Sequence, residues 1–176
     1  MNVNFMKKQG QVWVETVTYT LVAFVLIGLI LAFVKPKIDE LQDKALIEQS
    51  LNVLKQVDSI INEVYQDGVG NKRLVEVLLK KGELTVDSGN DSLLFEFTGR
   101  YEYSEPGQNY SESSFNIRTE KIGSSYKVTI GKNYPNFNIT YADKNLKKVF
   151  PRSSAPYRIF ITNKGGASQV IDFSVQ

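Results

Sequence analysis

The chain has 176 residues, a formal charge of +2, and neither cysteine nor histidine. That composition excludes disulfide frameworks, thiol and imidazole catalysis and most transition-metal sites, and the weak net charge argues against a general nucleic-acid binder. The length allows one membrane anchor and one modest domain of about 110 residues, large enough to bury its own core.

The first predicted element is the apolar run from Thr16 to Val34, 19 residues without a charge. As a helix rising about 1.5 Å per residue it covers roughly 28 Å, close to one hydrocarbon core. A cleaved secretory signal has a shorter apolar stretch ending in small residues, whereas Lys35-Pro36-Lys37 follows Val34 with no such site. A buried core helix seldom runs this far without a charge. Lys7 and Lys8 before the run are matched by Lys35 and Lys37 after it, so the positive-inside rule sets no orientation by itself. Trp13 and Tyr19 read as interfacial anchors or packing residues.

Ahead of the run stand Lys7-Lys8-Gln9-Gly10-Gln11, with Glu15 at its mouth. A carboxylate at membrane depth is costly and usually faces a partner or a polar cavity, and at the end of a run it can also snorkel to the headgroups. These elements at this spacing resemble the class III signal sequence of type IV pilin-like proteins, and the initial glutamine resembles the archaeal branch. The resemblance covers residues 7 to 34. It implies that a membrane-embedded aspartic prepilin peptidase recognises Lys7 and Lys8 on the cytoplasmic side and cuts between Gly10 and Gln11. Glu15 would become the fifth residue of the mature chain, whose helix is retained and bundles with other pilin subunits in a helical filament. Bacterial pilins usually begin the mature chain with an aromatic residue and often carry a disulfide near the C-terminus. Gln11 and the lack of cysteine depart from that version.

The resemblance has a physical rationale. A free amine at Gln11 would be positive near neutral pH, and Glu15 of a neighbouring subunit could pair with it in a filament core. Because an unpaired buried charge costs several kcal/mol, such a pair would fix axial register even with little net stabilisation.

Beyond the span, Ile38, Leu41, Ala45, Leu51, Leu54, Val57, Ile61 and Val64 recur at three- and four-residue steps, the pattern of an amphipathic helix. Residues 45 to 65 are expected to pack on the chain's own domain. Pro36 predicts a kink or a short break, and Asp39, Glu40 and Asp43 then lie in the first turns of the second half, where the helix dipole favours negative charge. Gln66-Asp67-Gly68 and Gly70 end the helix.

After Gly70 the texture changes to short alternating segments. Strands are expected at Leu93 to Thr98, Arg100 to Ser104, Ser114 to Glu120, Tyr126 to Gly131, Phe137 to Tyr141, Tyr157 to Thr162 and Gln169 to Val175. Asn163-Lys164-Gly165-Gly166 signals a hairpin between the last two. Leu74 to Leu79 fits a strand slightly better than a helix face, pairing with Leu84 to Val86 or with Leu93 to Phe97. The expected fold is therefore α+β, a long hydrophobic then amphipathic N-terminal helix followed by a compact antiparallel β-sandwich head in the lollipop arrangement of pilins. The domains are a cytoplasmic leader at 1–10, a membrane and filament-core helix at 11–34, its amphipathic continuation at 35–66 and an extracellular head at 71–176.

From Glu83 to Glu120 there are eight acidic and two basic residues, and from Lys121 to Gln176 two acidic and nine basic. Pairing of acidic and basic strands across a sheet explains this most simply. The sharper readings are attraction between adjacent subunits, or a cationic patch of Lys144, Lys147, Lys148 and Arg152 facing a polyanionic surface or extracellular DNA. Asn90, Asn109 and Asn138 each begin an N-glycosylation triplet. Asp87, Asn90 and Asp91 lack calcium-loop spacing and read as a hairpin turn. No phosphate loop or serine-centred constellation is visible, so neither enzyme activity nor a cofactor is expected, nor specific nucleic-acid binding.

Two classes of function remain. One is a pilin-like filament subunit, inserted as a single-pass membrane protein with its N-terminus in the cytoplasm and then assembled at the cell surface. The other is an uncleaved, single-span membrane-anchored β-sandwich that binds a sugar, protein or solute. Only the first requires Lys7 to Gln11 and Glu15.

Overall fold

A computed structural model describes the backbone of residues 4–166 and 168–176 and the side chains of residues 12–166 and 168–176. Its first element is a single helix, α1 (Asn4–Asp67), followed by ten strands. The strands are β1 (Lys72–Val77), β2 (Glu83–Asp87), β3 (Ser92–Gly99), β4 (Asn109–Glu112), β5 (Phe115–Ile122), β6 (Ser125–Asn133), β7 (Asn138–Tyr141), β8 (Lys147–Pro151), β9 (Tyr157–Gly165) and β10 (Val170–Val175). The fold is α+β. The chain divides into two compact units, Met1–Glu40 and Leu41–Gln176.

Helix α1 runs through Pro36 without a break. Proline has no amide hydrogen, so the Ala32 carbonyl one turn earlier has no intrahelical donor there. Because the helix does not restart after Pro36, Asp39, Glu40 and Asp43 sit mid-helix and meet no helix N-terminus, contrary to expectation. From Leu41 onward, good helix formers alternate with an apolar stripe. Ile47, Leu51, Leu54, Val57, Ile61 and Val64 are buried in the core of the second unit, whereas Leu41 is exposed. Gly68 ends the helix at φ +90°, the left-handed conformation that glycine adopts without penalty. The orphan carbonyls of the last turn are taken by side-chain amides. Asn71 Nδ2 donates to Asp67 O at 2.7 Å, and the fully buried Asn163 donates from Nδ2 to Val64 O at 3.1 Å.

The strands form a four-stranded sheet in the order β1-β9-β10-β7 and a six-stranded sheet in the order β4-β5-β6-β3-β2-β8. Strand β5 shows why they form: Phe115, Ile117 and Thr119 are buried while Asn116, Arg118 and Glu120 are exposed, the period of two that puts one face on a core. Side chains from both sheets and from the Leu41–Asp67 part of α1 share one core. Phe150 of β8 joins the sheets, its ring centroid 6.1 Å from Tyr141 of β7 and 5.3 Å from Tyr157 of β9.

Four expectations are corrected. Pairing is not wholly antiparallel, because β7 and β10 run parallel. Arg100 to Ser104 is not a strand: the Arg100 amide donates to Asp43 Oδ2 at 2.6 Å and the Ser104 amide to Thr119 Oγ1 at 3.2 Å, which removes them from any ladder. Strand β1 pairs with β9 and with neither β2 nor β3, since the turn at Gly68 to Gly70 sets Gly70 N on Asn163 O at 2.8 Å and starts the ladder there. Strands β4 and β8 were not expected, β4 being short and polar and β8 opening with two lysines.

The hairpin of β9 and β10 is present, with β9 extending to Gly165 so that the turn falls later than the sequence places it. The β2–β3 turn is built by Asp87, whose carboxylate accepts from Gly89 N at 3.0 Å and Asn90 Nδ2 at 3.1 Å. Among the described residues no cluster of acidic side chains suits a metal ion. Asn90, Asn109 and Asn138 are all exposed.

Candidate functional site: the apolar segment of α1

Between Val12 and Val34 sixteen large apolar side chains are exposed. An 18-residue window of this helix has a mean hydropathy of 2.6 and none of it is buried within the chain. Covering a Val, Leu, Ile or Phe side chain is worth roughly 1.5–3 kcal/mol, so covering this surface is worth on the order of tens of kcal/mol. Length and composition fit a membrane-spanning helix. Trp13 and Tyr19 are exposed at the N-terminal part of the segment, where amphipathic rings suit a membrane interface.

The run contains three threonines that sequence reading passed over. Each hydroxyl donates to the carbonyl one turn back: Thr16 to Val12 at 2.9 Å, Thr18 to Val14 at 2.8 Å and Thr20 to Thr16 at 2.8 Å. Their polar groups are thus satisfied inside the helix and add little to the cost of an apolar environment. A side chain added at Gly28 would meet nothing within 4 Å among the described residues.

Glu15 is exposed on the same helix. The expected processing residues Lys7, Lys8, Gly10 and Gln11 belong to the backbone of α1, and their side chains lie outside the described residues.

In the second unit, carboxylates tie the helix to the strands. Asp43, buried, accepts Lys81 Nζ at 2.7 Å as well as the Arg100 amide. Lys55 reaches Glu112 Oε1 at 2.9 Å, and Tyr103 donates to Glu112 Oε2 at 2.8 Å. The hydrogen bonds from Lys55 and then Tyr103 hold the Glu112 carboxyl below the ordinary range. Asp58 receives Lys132 Nζ at 2.6 Å and Tyr134 Oη at 2.9 Å, and burial, reinforced by the Asp58 charge, pushes the Tyr134 phenol far up. Sequence reading missed all three contacts, because nothing local marks Asp43 and Asp58 on the helix, or Glu112 on β4, as facing a distant partner.

The charge asymmetry resolves partly into a cross-strand pair: Lys127 of β6 lies 2.5 Å from Glu96 of β3, which raises the lysine's pKa chiefly through their hydrogen bond. Outside the acidic stretch, Arg158 of β9 lies 3.7 Å from Glu76 of β1. Of the expected patch, Lys148 lies over the rings of Tyr141 and Phe150 at 5.4 and 5.8 Å. Lys144, Lys147 and Arg152 are exposed.

Comparison with known proteins found no matching family model, curated protein or solved structure.

Proposed function

We propose that this chain is a subunit of a type IV pilus-like surface filament of the archaeal kind, cut by a prepilin peptidase between Gly10 and Gln11. The observation that carries the reading is the wholly unburied apolar segment of α1, directly preceded in sequence by Lys7-Lys8-Gln9-Gly10-Gln11 and Glu15. Such a segment needs cover from lipid before assembly and from copies of itself afterwards, and the internally bonded threonines suit both settings. In this reading the chain crosses the membrane once with its N-terminus in the cytoplasm. Its β-rich domain lies outside the cell, and exposed Asn90, Asn109 and Asn138 are accessible to glycosylation there.

Glu15 pairs with the new amine of Gln11 on a neighbouring subunit and sets the register. Glu15→Ala is therefore expected to insert and be cleaved normally while filament yield drops. Undiminished yield of filaments from that variant would remove Glu15 from the assembly mechanism.

A second reading, an uncleaved single-span protein that presents the β-rich domain as a binding module, is favoured by two adjoining polar hollows of that domain, the smaller of them lined by Lys80 and Arg152. It predicts a mature chain that retains Lys7 and Lys8.

A further inference from the structure

Arg152 follows β8 and lines two adjoining hollows of the β-rich domain. The smaller, of about 290 Å³, is formed by Lys80, Arg152, Ser153 and Ser154. The Ser153 amide donates to Leu79 O at 2.9 Å, so the segment carrying Lys80 and the one carrying Arg152 are fixed side by side. The neighbouring cations are neutralised, Lys81 by Asp43 and Lys127 by Glu96. Lys80 and Arg152 have no carboxylate partner among the described residues.

Two cations without a carboxylate partner that line one hollow, one of them a guanidinium fork, suit a carboxylate, sulfate or phosphate group, and the two serine hydroxyls add donors. The larger hollow, of about 470 Å³, has a different chemistry. There Glu83, Thr98 and the second carboxylate oxygen of Glu96, whose first is taken by Lys127, offer acceptors, a lining suited to neutral hydroxyl groups. A polynucleotide fits poorly, because two carboxylates, Glu83 and Glu96, line the adjoining hollow and no aromatic ring lines either hollow for base stacking.

We propose that the two hollows together bind an acidic saccharide, its anionic group between Lys80 and Arg152 and the adjoining sugar hydroxyls against Glu83, Glu96 and Thr98. This site does not depend on filament assembly.

The test is calorimetric titration of the full chain in detergent micelles with tetragalacturonate, a sulfated tetrasaccharide, neutral maltotetraose and an oligothymidylate. The expected result is saturable binding of at least one acidic saccharide, weakened at least tenfold by maltotetraose's lack of charge and at least tenfold by Lys80→Ser with Arg152→Ser. Lys121→Ser, on β5 and outside both hollows, is expected to leave binding unchanged. Both hollow cations are exposed, so the double variant is expected to fold, and tyrosine near-ultraviolet dichroism checks it. The proposal is overturned if neither acidic saccharide saturates, if maltotetraose or the oligothymidylate binds as tightly, or if the folded double variant binds like the parent.

Discussion

Lys132 Nζ lies 2.6 Å from Asp58 Oδ1, and the same oxygen accepts the Tyr134 hydroxyl at 2.9 Å. Lys132 also donates to Ser114 Oγ at 2.9 Å, so one helix carboxylate gathers groups from β6 and from the residues beside β5 and β6. With side-chain exposures of 16% and 13%, the ion pair is largely withdrawn from water. Its removal matters more through the group left behind than through the bond lost.

Asp58→Ala is therefore expected to destabilise the β-rich domain by about 3 kcal/mol, the lower end of what orphaning a buried charge costs, because Lys132 keeps some solvent. Asp58→Asn, which retains an acceptor for both donors, should cost less. Denaturant unfolding followed by tyrosine near-ultraviolet dichroism reports mainly on this domain, since eight of the nine tyrosines lie in it.

The phenol of Tyr134 is pushed up by burial, and that of Tyr103 by burial and its bond to Glu112. A group whose folded pKa lies above its unfolded value contributes stability that is present below the unfolded pKa, about 10 for tyrosine, and is lost as pH rises. Phenolate absorbance during alkaline titration should show a step that coincides with unfolding of the domain and is lost in Tyr103→Phe with Tyr134→Phe. Ionisation of Tyr134 in a domain that is still folded would contradict its buried placement.

At the acid end the sign reverses. Glu112 is depressed below its ordinary value of 4.5 by Lys55 and Tyr103, so its contribution is present above that pH and is lost as pH falls through the lower folded value. The pair is about a third exposed, so the contribution is less than about 1 kcal/mol. Glu112→Gln should lower the midpoint of unfolding slightly at neutral pH, and the difference from the parent should shrink as pH falls through the parent carboxyl's depressed folded value.

Gly82 sits at φ +80°, and a β-carbon built there would lie 2.5 Å from Glu96 O and 2.8 Å from a Phe95 ring carbon. Left-handed backbone costs an alanine about 1–2 kcal/mol before any contact is counted, so Gly82→Ala is expected to cost at least about 2 kcal/mol in the same unfolding assay.

The apolar run was legible because composition alone states it, and its centre supplies a further check. Leu26→Arg places a charge where insertion scales penalise it by about 2.5–3.5 kcal/mol and should shift the chain from the carbonate-resistant membrane fraction toward the soluble or aggregated one. The threonine back-bonds within the run were not legible, since a hydroxyl's partner depends on rotamer.

Strands such as β5 announced themselves because Phe115, Ile117 and Thr119 alternate against polar neighbours. Arg100 to Ser104 alternates too, with Tyr101 and Tyr103, yet Asp43 and Thr119 capture its amides from a distance that local pattern cannot see. Strand β8 was hidden by the opposite effect: Lys147, Lys148 and Pro151 look like a loop, but at the open edge of a sheet charge and proline are tolerated and discourage further pairing. Buried Asp172 was equally unmarked, its carboxylate spent on Thr140 Oγ1 and the Asp143 amide, both at 2.7 Å.

The central claim is processing and assembly through the N-terminal helix. Filaments sheared from the cell surface should yield this protein with an N-terminal sequence starting at Gln11 and an intact mass lacking the ten preceding residues. A chain still beginning at Met1, confined to the membrane fraction and absent from high-molecular-weight material, would contradict the account and leave an anchored binding module in its place.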